Sequence, residues 1–142
     1  MSKYFEVGVR YEKTQEDGTV KKVTETYLID ALSFSEVEKR ITEEMEAYII
    51  GEFSVVTEKI SNTSDVANTD DVLADKFYKV KFSSITVDEK TGKEKKQSQL
   101  IVVKASSNDD ARDRYKQYYK DTPVDLVLEA VSETKYIDYI PY

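Results

Sequence analysis

Five lysines, Lys79, Lys81, Lys93, Lys95 and Lys96, crowd one stretch of this 142-residue chain, with Lys90 and Lys104 close by. Lys79 and Lys81 alternate with apolar residues as on a strand, and the others follow around a turn and up a second strand. Their ammonium groups would therefore line one hairpin. With Tyr78, Phe82 and the out-of-pattern Tyr118 as stacking surfaces, such a hairpin could hold single-stranded nucleic acid or a nucleotide. Two features oppose that reading. Asp88, Glu89 and Glu94 dilute the positive field, and the hairpin lacks arginine, the better reader of phosphates. Outward lysines also serve simply to blunt strand edges.

The missing residues narrow the chemistry further. With no His and no Cys, serine triads, Cys/His nucleophilic pairs, ordinary zinc sites and disulfides are excluded. The four glycines, Gly8, Gly18, Gly51 and Gly92, are scattered and make no phosphate loop. Carboxylates, lysines and tyrosines remain, and no catalytic grouping of them stands out. The chain is read as a non-enzymatic protein without metal or cofactor. No apolar run is long enough to cross a membrane, and the first residues lack the apolar core of a signal peptide. A cytoplasmic protein with no membrane partner is expected.

The elements that must position these residues occur twice. Shifting the chain by 73 or 74 positions lays Tyr4-Phe5-Glu6-Val7 on Phe77-Tyr78-Lys79-Val80, Gly18 on Gly92, Ala31 on Ala105, Ser33 on Ser107 and Arg40 on Arg114. Each copy reads as strand, Gly-containing turn, strand, amphipathic helix, strand. Ser33 with Glu36 forms a capping box, and Ser107 with Asp110 a weaker one. Val37, Ile41, Met45 and Tyr48 make the inward stripe of the first helix, closed by Gly51; Ala111, Tyr115 and Tyr118 or Tyr119 make that of the second. The organisation expected is repeat one over 3–60, a polar linker over 61–75, repeat two over 76–135 and a tail over 136–142, all in one pseudosymmetric domain. The fold class expected is α+β, with about six mainly antiparallel strands in one sheet and two helices. An outer edge of that sheet, paired across a twofold axis, would give a homodimer.

The copies differ in charge. Residues 1–74 carry 8 Lys and Arg against 16 Asp and Glu, a net of −8, while residues 75–142 carry 13 against 12, a net of +1. The acidic helix face Glu36, Glu43 and Glu44 would suit a basic partner surface. Where copy one has Glu44, copy two has Tyr118.

The run Lys22-Val23-Thr24-Glu25-Thr26-Tyr27-Leu28-Ile29-Asp30-Ala31-Leu32-Ser33-Phe34 resembles the first half of the family catalogued as domain of unknown function 4494. Gly51-Glu52-Phe53, the run from Asp88 to Lys96, Val131-Ser132-Glu133-Thr134 and the final Pro-Tyr extend the resemblance over nearly the whole chain. It implies no activity and no functional residues. It does imply an origin among gut anaerobic bacteria, their mobile elements and their phages. The tail, Asp138-Tyr139-Ile140-Pro141-Tyr142, is similar to the acidic, Ile-Pro-Phe tip of bacterial single-stranded-DNA-binding proteins, which docks an aromatic ring on replication and repair enzymes. That makes the tail a candidate partner-binding segment. Here Tyr replaces Phe and only Asp138 is acidic. The sequence-level reading is an accessory protein of phage or mobile-element type that works through protein–protein contacts in DNA replication or host take-over. Nucleic-acid binding by the lysine hairpin is the alternative.

Overall fold

The computed structural model describes residues 3–142. Alternation of Phe5, Val7 and Val9 with polar residues produces β1 (Lys3–Thr14), which folds back on β2 (Val20–Ala31) around Gly18, whose φ of +85° only glycine adopts without strain. β5 (Lys76–Val87) and β6 (Glu94–Ala105) form the second hairpin around Gly92, at φ +69°.

Each hairpin leads into a capped helix, α1 (Phe34–Tyr48) and α2 (Asn108–Tyr118). The Ser33 hydroxyl accepts the Glu36 N–H at 3.2 Å, and the Glu36 carboxylate accepts the Leu32 N–H at 3.3 Å. The Ser107 hydroxyl accepts the Asp110 N–H at 3.1 Å, and the Asp110 carboxylate accepts the Ser106 N–H at 2.9 Å. The shorter aspartate therefore closes its box as fully as the glutamate. α1 ends at Tyr48 rather than at Gly51: the Ile49 N–H makes the last helical bond, to Met45 O at 2.7 Å, and its own backbone is extended at φ −101° and ψ 127°; Gly51 turns the chain afterwards.

The third strands are β3 (Phe53–Ile60) and β7 (Asp125–Glu133). Two more strands stand where a polar linker and a tail were expected, β4 (Asp65–Ala67) and β8 (Tyr136–Ile140). The fold is α+β, but the single six-stranded sheet is not what forms. Among the described residues eight strands make two mixed four-stranded sheets, in the orders β3-β1-β2-β8 and β4-β6-β5-β7. The physical reason lies in the second strand of each hairpin. The runs Tyr27-Leu28-Ile29 and Ile101-Val102-Val103 are fully buried, so both backbone edges need partners. β8 pairs parallel with β2, and β4 pairs parallel with β6.

The chain divides into two compact units, one formed by the described part of Met1–Ser61 with Lys135–Tyr142 (unit 1), the other by Asn62–Thr134 (unit 2). In unit 1 the core comprises Phe5, Val7, Val9, Tyr27 and Ile29 from the sheet, Val37, Ile41 and Met45 from α1, and Ile140 from β8. In unit 2 it comprises Tyr78, Val80, Phe82, Ile101 and Val103 under Ala111 and Tyr115. Burial of each large apolar side chain stabilises its unit by roughly 1.5–3 kcal/mol. Even irregularities coincide: the β1–β3 register slips between Gly8 and Val9, and the β5–β7 register between Lys81 and Phe82, 73 positions on.

Candidate partner-binding corner

β8 continues unit 1 beyond its hairpin, and its residues are locked in place one by one. Tyr136 is buried and its hydroxyl donates to the Glu6 carboxylate. Burial, and then that carboxylate, pushes the phenol well above its ordinary pKa. Ile140 is buried in the core, and Tyr139 sets its ring 6.3 Å from that of Tyr4. The Pro141 carbonyl accepts from the Arg40 guanidinium, which also donates to Asp30 O and lies 5.5 Å from the Tyr142 ring centre. Of the five tail residues singled out in the sequence, Tyr139 and Ile140 thus serve the sheet. Asp138, Pro141 and Tyr142 remain exposed.

β8 and α1 meet in an open corner. Tyr27, Met45 and Ile140, all buried, line a cavity of about 280 Å³ together with the exposed Tyr48 and Ile137 and the acidic Glu44 and Asp138. Tyr48 is 62% exposed and Ile137 47% exposed, an unusual outlay of apolar surface beside two acids. Among the described residues no cation pairs with Glu44 or Asp138. Glu43 and Glu46 extend the acidic surface along α1.

The matching corner of unit 2 is closed. β4 lies on β6 as β8 lies on β2: Asp65 opposes Ile101 as Asp138 opposes Tyr27, and Ala67 opposes Val103 as Ile140 opposes Ile29. Asp65 accepts the Val66 N–H at 2.8 Å, and Asp138 accepts the Tyr139 N–H at 2.8 Å. The helix residue that faces this aspartate differs. Tyr118 donates its hydroxyl to Asp65 and packs edge-on against Tyr119, with ring centres 5.1 Å apart. Tyr119 in turn lies 5.0 Å from Phe82, and burial, with the Asp65 charge next, pushes its phenol up to about 12. Tyr118 is the outer rung of an aromatic ladder.

The lysine hairpin does not assemble as one surface. Strand alternation places Lys79, Lys81 and Lys96 on the face of the sheet away from α2, Lys95 on the opposite face and Lys93 in the turn. Lys81 and Lys96 bracket Glu129, at 3.9 and 3.5 Å. Glu129 also accepts from the Ser83 hydroxyl, and that bond, with the two lysines, holds its carboxyl below the usual range. Glu129 reaches this position because it is the extra residue of the β5–β7 bulge.

A family model described as Domain of unknown function (DUF4494) matches residues 3–142. The chain belongs to that family. No curated protein and no solved structure matches it. Among the described residues of this DUF4494 chain, no helix is long and apolar enough to cross a membrane, and no group of three or more acidic side chains could hold a metal ion.

Sequence reasoning missed Ile137 and Glu129 as members of these sites and set Tyr48 in the inward stripe of α1, whereas its ring stands exposed at the end of the helix. Ile137 is only a site residue once β8 is known to be a strand beside α1. A bulge leaves no mark in the alternation of a single strand. The difference of Glu44 from Tyr118 was the one visible signal, and it marks the corner itself.

Proposed function

We propose that this chain is a non-enzymatic accessory protein of phage or mobile-element type that binds a basic partner protein through unit 1, in the service of DNA replication or host take-over. The observation that carries the reading is the α1–β8 corner, where exposed Tyr48 and Ile137 stand beside Glu44 and Asp138 on the acidic side of α1. Aromatic and aliphatic surface rimmed by like charge is the composition of a protein-binding patch, and the charge selects basic partners and speeds their approach. The alternative, single-stranded nucleic acid held by the lysine hairpin, has weaker support, since Glu129 offsets one of the two charges of Lys81 and Lys96 and the remaining lysines are divided between two faces and the turn.

The test is to purify the partner identified by mass spectrometry in producing cells and to measure its affinity directly. Glu43→Lys with Glu44→Lys is expected to weaken binding at least tenfold, whereas Lys93→Glu with Lys95→Glu leaves it within twofold. The reverse pattern, or salt-dependent binding of a single-stranded oligonucleotide that the lysine variant abolishes, would replace this reading with the alternative.

A further inference from the structure

Unit 2 contains a template for what unit 1 binds. Its corner between α2 and β4 is filled by a side chain of the chain itself: the Tyr118 phenol donates to Asp65 and rests on Tyr119. In unit 1 the acceptor stands at the same place on the strand. Asp138 has the register of Asp65 and makes the same contact with the following N–H, which leaves its other oxygen for a donor. The helix contributes Glu44 where unit 2 has Tyr118, so the internal donor is replaced by a second acceptor and the corner becomes a cavity.

Two acidic residues lining one cavity set the chemistry of the occupant: it must bring donors and positive charge. The buried lining of Tyr27, Met45 and Ile140 asks for an aliphatic stem, and Tyr48 offers a ring on which a planar cation can stack. At about 280 Å³ the cavity falls below the range of small-molecule and cofactor sites and suits a single side chain. Guanidinium meets every requirement: a flat cation, a fork of donors able to serve two carboxylates, and a three-carbon stem.

We infer that the α1–β8 corner is the socket for one arginine side chain of the partner protein, with Asp138 and Glu44 as its acceptors and Tyr48 as its stacking wall. The inference rests on the reading of unit 1 as a surface for a basic partner and specifies its anchor. An arginine buried in such a pocket is the kind of residue that dominates binding across an interface.

The experiment titrates the full chain with a capped pentapeptide, Ala-Leu-Arg-Leu-Ala, and follows backbone amide shifts at low salt. Saturable shifts are expected at Ile137, Asp138 and Tyr139. Citrulline in place of the arginine, which keeps the shape and removes the charge, is expected to weaken binding at least tenfold. Glu44→Tyr copies unit 2 into unit 1 and is expected to abolish binding while the melting temperature holds or rises. Glu44→Gln, which keeps size and fold, is expected to weaken binding about fivefold. Equal binding of the citrulline peptide overturns the inference. Binding that survives Glu44→Tyr and maps to Glu38, Glu43 and Glu46 overturns the socket but leaves the acidic-face reading standing. Absence of binding by any arginine or lysine peptide overturns both.

Discussion

The two units of this chain carry the same backbone arrangement and complete it in opposite ways. In unit 2 the added strand is three residues long, buries only Ala67, and is held to α2 by the Tyr118–Asp65 hydrogen bond. In unit 1 it is five residues long, buries Tyr136 and Ile140, and leaves the facing helix position acidic. Where the strand is anchored by its own core residues, the corner beside it is released from structural duty. Where the strand is short and polar, a tyrosine must close the corner to keep it in place. The comparison teaches that surface chemistry became available in unit 1 because Tyr136 and Ile140 took over the anchoring.

Two arginines make the same point. Arg40 and Arg114 align in the sequence, and each holds the segment that leaves the added strand. Arg40 donates to Pro141 O, while Arg114 bridges Asp110 and Asp71, both at 2.8 Å. Arg40 grips two backbone carbonyls, of Asp30 and Pro141, with the Glu36 carboxylate at 3.8 Å, whereas Arg114 grips two carboxylates.

Truncation after Thr134 should have the largest effect of any change. It removes β8 and with it two buried side chains, which at roughly 1.5–3 kcal/mol each, plus the unpaired β2 edge, should cost unit 1 about 4 kcal/mol or more. Thermal denaturation should show an early transition belonging to unit 1. An unchanged melting temperature would mean that the tail is a free docking segment.

Arg114→Ala comes next, with an expected loss of about 1 kcal/mol after solvent screening, localised to unit 2. Amide exchange of Val66 and Ala67 should accelerate while that of β8 stays as it was; uniform acceleration would contradict separate clamps. Tyr115→Phe should act in the other direction. The Tyr115 hydroxyl is buried with no partner among the described residues, and its removal should stabilise unit 2 by about 1 kcal/mol in urea unfolding. A loss of stability would place an ordered water on that hydroxyl.

The smallest expected effect is in pH, and it has opposite signs in the two units. In unit 1, burial, and then the neighbouring Glu38, raises Glu58 above its ordinary 4.5. Its ionised form is thus disfavoured in the fold, and stability of the β3–α1 contact should rise as pH falls through that raised value. In unit 2 the Ser106 backbone, and then Arg114, lowers Asp110 below its ordinary 3.8. That stability is present above the ordinary value and is lost only as pH falls through the lowered one. As pH falls towards the ordinary 4.5 of Glu58, protection of β3 amides should therefore rise while β4 amides hold, and the β4 amides should loosen only below the ordinary 3.8 of Asp110. Glu58→Gln should abolish the first change and leave the second.

Much of this was legible in the sequence wherever the cause was local. Both capping boxes, both hairpin glycines and the inward helix stripes follow from residues within a few positions of one another. The odd pairing of Glu44 with Tyr118 was visible too, and it marked the corner. What escaped was non-local. β4 is too short and polar to signal a strand, and it forms because the buried edge of Val102 and Val103 needs a partner. The tail reads as a docking motif until β2 is known to require one as well. Lys81 and Lys96 read as a free basic patch until the β5–β7 bulge turns Glu129 between them.

The equivalence of the two corners can be tested by giving unit 1 the helix residue of unit 2. In a chain carrying Glu44→Tyr, amide shifts induced by the arginine peptide should disappear from Ile137, Asp138 and Tyr139 while both units stay folded. Shifts that stay on β8 would contradict the account.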